Sequence, residues 1–276
     1  MNSPYHERGH LRAMLKPTIA HWRRWLRESE YRAFHRFARQ LAAKPRFSRG
    51  NIQFRQRAIQ YVDAPSFLSA WDEIFVNGIY DIPNPGHRPF LVDVGANIGL
   101  AAIRWKLQFG DFDYLGWEPD PSIANCCREN LRIWGVSGDV RNIAVGMQDG
   151  EAAFLPDGAD GGRLVSEQSS SALRVSVERL SPLLVRSVDL LKIDVEGSEL
   201  AVLREIASKL VLVRRLFVEW HDFVDQTEKL SSALAVLEDA GFRSLIQIGR
   251  GPAKPFLQSA VDDCFMQQIN IFAVRR

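Results

Sequence analysis

The stretch Leu91-Val92-Asp93-Val94-Gly95-Ala96-Asn97-Ile98-Gly99 constrains this chain more than any other. An apolar run with one acid inside it ends in a turn framed by two glycines. Leu100, Ile103 and Leu107 then follow at helical spacing. Strand, glycine turn and helix, in that order, is how a doubly wound α/β sheet builds a nucleotide pocket at the carboxyl end of a strand.

The rest of the chain alternates in the same way. Strands are expected at Phe90–Val94, Tyr114–Trp117, Asp139–Val145, Asp189–Val195, Arg215–Trp220, Phe242–Ile248 and Ile269–Val274. Helices are expected at Ile98–Leu107, from Asp120-Pro121 to Trp134, at Ser198–Leu210 and at Thr227–Ala240. Asp120 caps the second of these and Pro121 occupies its first turn. The alternation predicts a mostly parallel sheet with helices on both faces. Residues 146–187 are less regular, with a turn at Gly146–Gly150, a short strand at Ala152–Leu155 and a loop at Asp157–Gly162.

The charge divides the chain. Residues 1–60 carry fourteen Lys/Arg against three Glu, whereas residues 61–276 carry twenty-one Lys/Arg against thirty Asp/Glu. A basic, mostly helical appendage over 1–60 and an acidic main domain over 61–276 are therefore expected. Within the appendage, residues 8–44 read as helical, interrupted by Pro17 and stopped by Pro45, with Trp22, Trp25, Leu26, Phe34, Phe37 and Leu41 as its apolar residues. Two readings stand: a helix packed on its own domain, or one that meets an anionic membrane surface. No nucleic-acid module pattern accompanies the charge. A short helical stretch around Phe67–Phe75 and a Pro/Gly connector, Ile82–Gly86, lead into the first strand.

No run of eighteen apolar residues occurs, and no apolar secretory region is visible. Cys126, Cys127 and Cys264 fit no metal spacing and read as structural thiols. The expectation is a cytoplasmic protein, peripheral to a membrane if the basic head binds one.

Three ligand classes could use the turn. A phosphate loop needs a Lys and a Ser/Thr after its glycines, but Leu100 follows Gly99. A dinucleotide fingerprint needs glycine where Asn97 and Leu100 stand. A nucleoside that carries an amino acid and no phosphate tolerates Gly95, Asn97 and Gly99, and gives Asp93 a use as an anion near an ammonium. Glu118, at the end of the second strand, can accept hydrogen bonds from both ribose hydroxyls. Together these residues favour S-adenosylmethionine over NAD.

Four ordered blocks then resemble the FkbM family of methyltransferases: Val92–Gly99, Gly116–Pro121, Asn142–Gly146 with Asp149-Gly150, and Asp189–Glu199. They span roughly residues 75–221. The resemblance implies a class I Rossmann-like methyltransferase fold with seven strands, the last antiparallel. It implies S-adenosylmethionine-dependent transfer to a hydroxyl oxygen, and places Asn142 among the cofactor-binding residues. The family's acceptors include macrolide side chains and the sugars of glycans or glycolipids. Residues 1–60 lie outside the match and inherit nothing from it.

The last block is unusual for a central strand. Lys192, Asp194 and Glu196 alternate where a strand buried on both faces should be apolar. Three ionisable groups there need partners. The neighbouring strand offers Glu219 and His221, again two apart. A polar cluster at the carboxyl ends of two strands is expected, with Lys192 neutralising the acids. Asp194 or His221 is the expected general base for an alcohol acceptor, and Glu196 and Glu219 orient it or the substrate. Asp194, Glu219 and His221 could instead hold a divalent ion, a less favoured alternative; the nearest acid pair, Asp262-Asp263, lies far downstream. Other classes left open are an NAD-dependent dehydrogenase and a non-catalytic, membrane-attached S-adenosylmethionine binder.

Overall fold

The computed structural model describes residues 19–159, 161–165, 171–224, 228–258 and 265–275. The chain begins with helices α1 (Ile19–Arg27) and α2 (Ser29–Leu41) and a hairpin of β1 (Gly50–Phe54) and β2 (Arg57–Tyr61). Helix α3 (Ala64–Trp71) follows, capped by the Asp63 carboxylate, which accepts from Ser66 N; it runs into a π-helical turn, Asp72–Val76. The expected helix over 8–18, with Pro17, lies outside the described residues, as do Cys264 and the Asp262-Asp263 pair.

Then comes the doubly wound unit. Its elements are β3 (Phe90–Val94), α4 (Leu100–Phe109), β4 (Asp113–Trp117), α5 (Pro121–Trp134) and β5 (Gly138–Arg141). Four short strands follow: β6 (Ala144–Val145), β7 (Gly150–Leu155), β8 (Arg163–Val165) and β9 (Leu173–Glu178). The chain returns through β10 (Leu190–Ile193), α6 (Glu199–Glu205) and β11 (Arg215–Phe223), and closes with α7 (Leu230–Asp239), β12 (Phe242–Arg250) and β13 (Phe265–Arg275).

The seven-stranded sheet runs β12-β13-β11-β10-β3-β4-β5. Strands β11, β10, β3, β4 and β5 pair in parallel, and β13 is antiparallel to both of its neighbours. This is the architecture expected from the alternation and the motifs. The order reverses at β3 and β10, so the crevice of the sheet opens beyond their carboxyl ends. One apolar core covers each face. Leu91 joins Ile103, Trp105, Leu131 and Trp134 of α4 and α5, while Val92 and Val94 join Leu200, Leu203 and Leu237 of α6 and α7.

Several elements differ from expectation. The strand expected over Asp139–Val145 splits, because the Asn142 amide donates to the carbonyls of Glu118 (2.9 Å) and Pro119 (2.8 Å) and turns the chain out of the sheet. Strand β6 therefore starts a second sheet, β6-β9-β7-β8, built from the stretch that looked irregular. The helix expected to Leu210 gives way after Glu205 to a 3₁₀ turn, Ala207–Leu212.

The charge boundary near residue 60 is not a break in the packing. Phe37, Phe54 and Trp71 are buried in one core with Ile103 and Trp134. Each such side chain contributes about 2 kcal/mol or more of burial free energy. The hairpin is also pinned to α5: Asn130 accepts from Gln60 N (2.7 Å) and donates to Gln60 O (3.0 Å) and Ile98 O (2.8 Å).

Candidate functional site

The turn after β3 is held from three sides. Gly95 N and Ala96 N both donate to Trp117 O, at 3.0 and 2.7 Å. Gly95 has φ +88°, and a Cβ there would lie 1.9 Å from the carbonyl oxygen of Asp194, so only glycine lets β3 and β10 end this close together. Asn97 also takes a left-handed conformation, with φ 47°, and its side chain accepts from Ile98 N at 2.6 Å. Asparagine tolerates this backbone because its amide can satisfy a neighbouring N–H.

Glu118 ends β4 beside that turn. One carboxylate oxygen accepts from Asn97 N at 3.0 Å and the other from Asp120 N at 2.9 Å. Burial pushes its carboxyl up to about 7, against the pull of these two N–H donors. It is thus a positioned carboxylate poised near neutrality.

Beyond the strand ends lies a cleft with about 670 Å³ of empty space, its open mouth included. Its floor is Gly95, Asn97, Glu118, Asp194 and Glu196; Phe154 and Leu164 of the second sheet form a roof. Among the described residues the lining carries five carboxylates, Glu118, Asp120, Asp157, Asp194 and Glu196, and no lysine or arginine. Such a wall repels a pyrophosphate and attracts a cation.

Lys192 lies buried under the floor. Its Nζ donates to Gly95 O (2.7 Å) and sits 3.1 Å from Asp194 and 3.4 Å from Asp93. Burial works against its charge, but Asp194, Asp93 and Glu219 outweigh it and raise the pKa. Asp93 is fully buried and receives the Tyr114 hydroxyl at 3.0 Å. Burial pushes its carboxyl up, with Lys192 and Tyr114 opposing.

The remaining cluster surrounds His221 on β11. Its Nδ1 lies 2.9 Å from Glu199 and its Nε2 lies 3.4 Å from Glu196. Burial alone would strip the ring of its proton, yet Glu196 and Glu199 raise its pKa well above 6.5. His221 thus lies between two acids that favour its imidazolium form. Glu219 is buried beside it, its carboxyl lifted well above the ordinary range by burial and by Asp194.

Asp194, Glu219 and His221 bring one ligand-type atom each within 4.8 Å of one another. The donor set suits a divalent ion poorly. Both His221 nitrogens face carboxylates, which favour its protonated form over a ligating one, and Lys192 already supplies a cation to Asp194.

The expected site residues thus divide. Gly95, Asn97, Glu118, Asp194 and Glu196 line the cleft, and Gly99 caps α4 with φ +83°. Asp93, Asn142, Glu219 and His221 do not line it: Asp93 pairs with Lys192 behind the turn, Asn142 braces the Glu118–Pro119 backbone, and Glu219 and His221 are buried on β11. Strand β10 stops at Ile193, so Glu196 reaches His221 through a left-handed residue, φ 52°, and not by strand alternation. Glu199 was missed. It lies in the first turn of α6, three residues after Glu196, and only the placement of β11 beside it discloses a partner.

Comparison with known proteins matches residues 93–244 to the methyltransferase FkbM domain. Methyltransferase sdnD of Sordaria araneosa is 29% identical over 62% of this chain and 80% of its own length. Methyltransferase 1 of Beauveria bassiana is 28% identical over 63% of this chain and 80% of its own. The 2-O-methyltransferase NoeI of Sinorhizobium fredii is 27% identical over 49% of this chain and 64% of its own. Among solved structures, methyltransferase FkbM of Methylobacillus flagellatus superposes with a TM-score of 0.44 at 14% identity, covering 87% of this chain and 58% of that one.

Proposed function

The chain belongs to the FkbM family of methyltransferases, and we propose that it moves a methyl group from S-adenosylmethionine to a hydroxyl oxygen. The observation that carries this reading is the cleft wall: five carboxylates, no basic residue, and a ribose-type acid at the strand end. A donor with a sulfonium, an ammonium and no phosphate complements that wall. NAD does not.

S-Adenosylmethionine supplies an electrophilic methyl group on an excellent leaving group. The protein's share is alignment and removal of the acceptor's proton. Glu118 fits the ribose diol, and the Gly95 turn lets backbone approach the ligand closely. Asp194 is the acid best placed as base, since it lines the cleft and is only partly buried. His221 has both ring nitrogens against Glu196 and Glu199, so its part is to fix those two acids. Glu219, buried beside His221 and electrostatically linked to Asp194, is assigned to the acceptor side as a positioning residue.

The name of the Sinorhizobium fredii relative, a 2-O-methyltransferase, supports oxygen as the receiving atom. A sugar of a glycan or glycolipid, or a polyketide-type hydroxyl, is the acceptor class we assign. The basic head is assigned an anionic surface as its partner. Thermal shift with S-adenosylmethionine, S-adenosylhomocysteine and NAD in parallel tests the donor: the first two should stabilise and NAD should not. Release of S-adenosylhomocysteine on adding fractionated glycolipid extract tests the transfer. Stabilisation by NAD alone would overturn the reading.

A further inference from the structure

Helix α1 is oriented opposite to a helix that meets only water. Two of its polar residues, His21 and Arg24, face the fold. His21 Nδ1 lies 2.9 Å from the Tyr31 hydroxyl, and Arg24 donates to Glu28 (2.9 Å) and to Val76 O (3.1 Å), with its guanidinium 4.5 Å from the Tyr31 ring. Three of its apolar residues face outward. Trp22, Trp25 and Leu26, at positions i, i+3 and i+4, are 51%, 36% and 70% exposed. They form one stripe on the helix surface. Arg23 and Arg27 flank that stripe, are exposed, and make no hydrogen bond or ion pair among the described residues.

Tryptophan with arginine on a short amphipathic helix is the composition of an interfacial element. The rings sit at headgroup depth and the guanidinia meet lipid phosphates. Among the described residues no helix is long and apolar enough to cross a membrane, so any contact by α1 lies in the plane of the surface. A second copy of the chain is a poorer occupant. A two-fold contact through this face would bring Arg23 and Arg27 of both copies together, in a head already bearing fourteen basic residues against three acids.

The position of α1 gives the contact a use. Arg24 ties the helix to Val76, the last residue of the π-helical turn. Glu73, in that same turn, is close enough to act electrostatically on Glu219 in the catalytic cluster. Through this turn α1 is joined to the Glu219 side of the site, the side to which the acceptor is assigned.

We propose that the Trp22–Trp25–Leu26 face of α1, with Arg23 and Arg27, docks on an anionic lipid bilayer and sets the acceptor side of the cleft at that surface. The proposal rests on the anionic-surface reading of the head and is independent of the methyl donor.

Flotation of the full chain with vesicles of phosphatidylcholine, with and without about one-third phosphatidylglycerol, tests it. The chain should float with the anionic vesicles only, and less so at ~0.5 M salt. A W22S/W25S/L26S variant and, separately, an R23E/R27E variant should each lose more than about tenfold of the bound fraction. Both should keep the wild-type melting temperature and S-adenosylhomocysteine affinity. If the full chain floats and both variants float equally well, the α1 face is wrong while the head's affinity for anionic surfaces stands. If the full chain does not float, both ideas fail. A wild-type dimer that the serine variant turns into monomer, without vesicle binding, would identify a second copy as the occupant and overturn the proposal.

Discussion

The ammonium of Lys192 donates to the carbonyl oxygen of Gly95 across 2.7 Å, joining β10, which leads into the proposed catalytic acids, to the glycine turn that lines the cleft. One buried cation thereby serves two ends of the site. It neutralises Asp194 and Asp93, and it fixes the peptide whose neighbour must approach Asp194 without a side chain.

Removing that cation should be severe. Lys192→Met keeps the length of the side chain but leaves Asp93 fully buried with no cation beside it. Breaking a buried pair from one side costs about 3–5 kcal/mol. Urea unfolding should show a loss of that size. The double variant Lys192→Met/Asp93→Asn should recover part of it, because the uncompensated charge is then gone. A single variant as stable as wild type would mean that Lys192 does not hold the turn.

Gly95→Ala tests the close approach directly. Its Cβ would fall 1.9 Å from Asp194 O, inside any real contact, and the residue would have to keep φ near +88°. The turn and β10 must separate. S-Adenosylhomocysteine affinity by calorimetry should fall at least about tenfold, with a stability loss of about 1–3 kcal/mol. Gly86→Ala, at a positive φ with nothing within 4 Å, serves as the backbone control and should leave affinity unchanged.

Glu118 gives the site a pH dependence. Its carboxyl stands at about 7 in the fold against 4.5 ordinarily, chiefly because of burial. The folded state therefore holds a proton that the unfolded state has lost between those values. This group's contribution to stability is greatest at low pH and declines as pH rises from about 4.5 to about 7. Ligand binding has the opposite sign, since ribose hydroxyls donate best to the ionised acid. S-Adenosylhomocysteine should bind about tenfold more weakly at pH 6 than at pH 8. Glu118→Gln should bind more weakly at both and show no such slope. An equal slope in wild type and variant would assign the titration to another group.

How much of this could be read along the chain depended on how local each signal is. The Gly95 turn, the cap at Asp120 and the acid at Glu118 all act within a few residues of themselves, so their places were legible. The hairpin was not. Its two-residue turn is Arg55-Gln56, with φ 46° and 63°, where asparagine or glycine usually announces the bend. Asp93 shows a different limit. Alternation put it on one face of β3, but both faces of a central parallel strand are buried, and only Tyr114 and Lys192 reveal which face it took. The roof was hidden because a side-chain bond from Asn142 to β4's last turn ends one strand and starts another sheet.

Metal removal should do nothing. The cluster with metal-like spacing among the described residues already has a cation in Lys192, and its acid neighbours favour a protonated His221. Dialysis against a chelator should leave turnover and melting temperature unchanged, and added Mg²⁺ or Mn²⁺ should not raise either. Activity lost to chelation and restored by one ion would show that His221 sheds its proton to a metal.

The division of labour between Asp194 and His221 separates a base from a positioning residue. Asp194→Asn keeps shape and a hydrogen-bonding oxygen but cannot take the acceptor's proton. With wild-type S-adenosylhomocysteine affinity, its kcat should fall at least about a hundredfold. His221→Gln removes the positive charge between Glu196 and Glu199 and leaves Glu199, fully buried, facing Glu196 without it. That variant should lose stability first, by about 2 kcal/mol or more, and its remaining activity should keep the wild-type pH profile because the base is unchanged. Pairing it with Glu199→Gln should restore stability and most of kcat, as the buried charges are removed together. If His221→Gln instead folds as wild type and flattens the pH profile of kcat, the histidine and not the aspartate takes the proton, and the imidazolium must yield its charge when the acceptor enters.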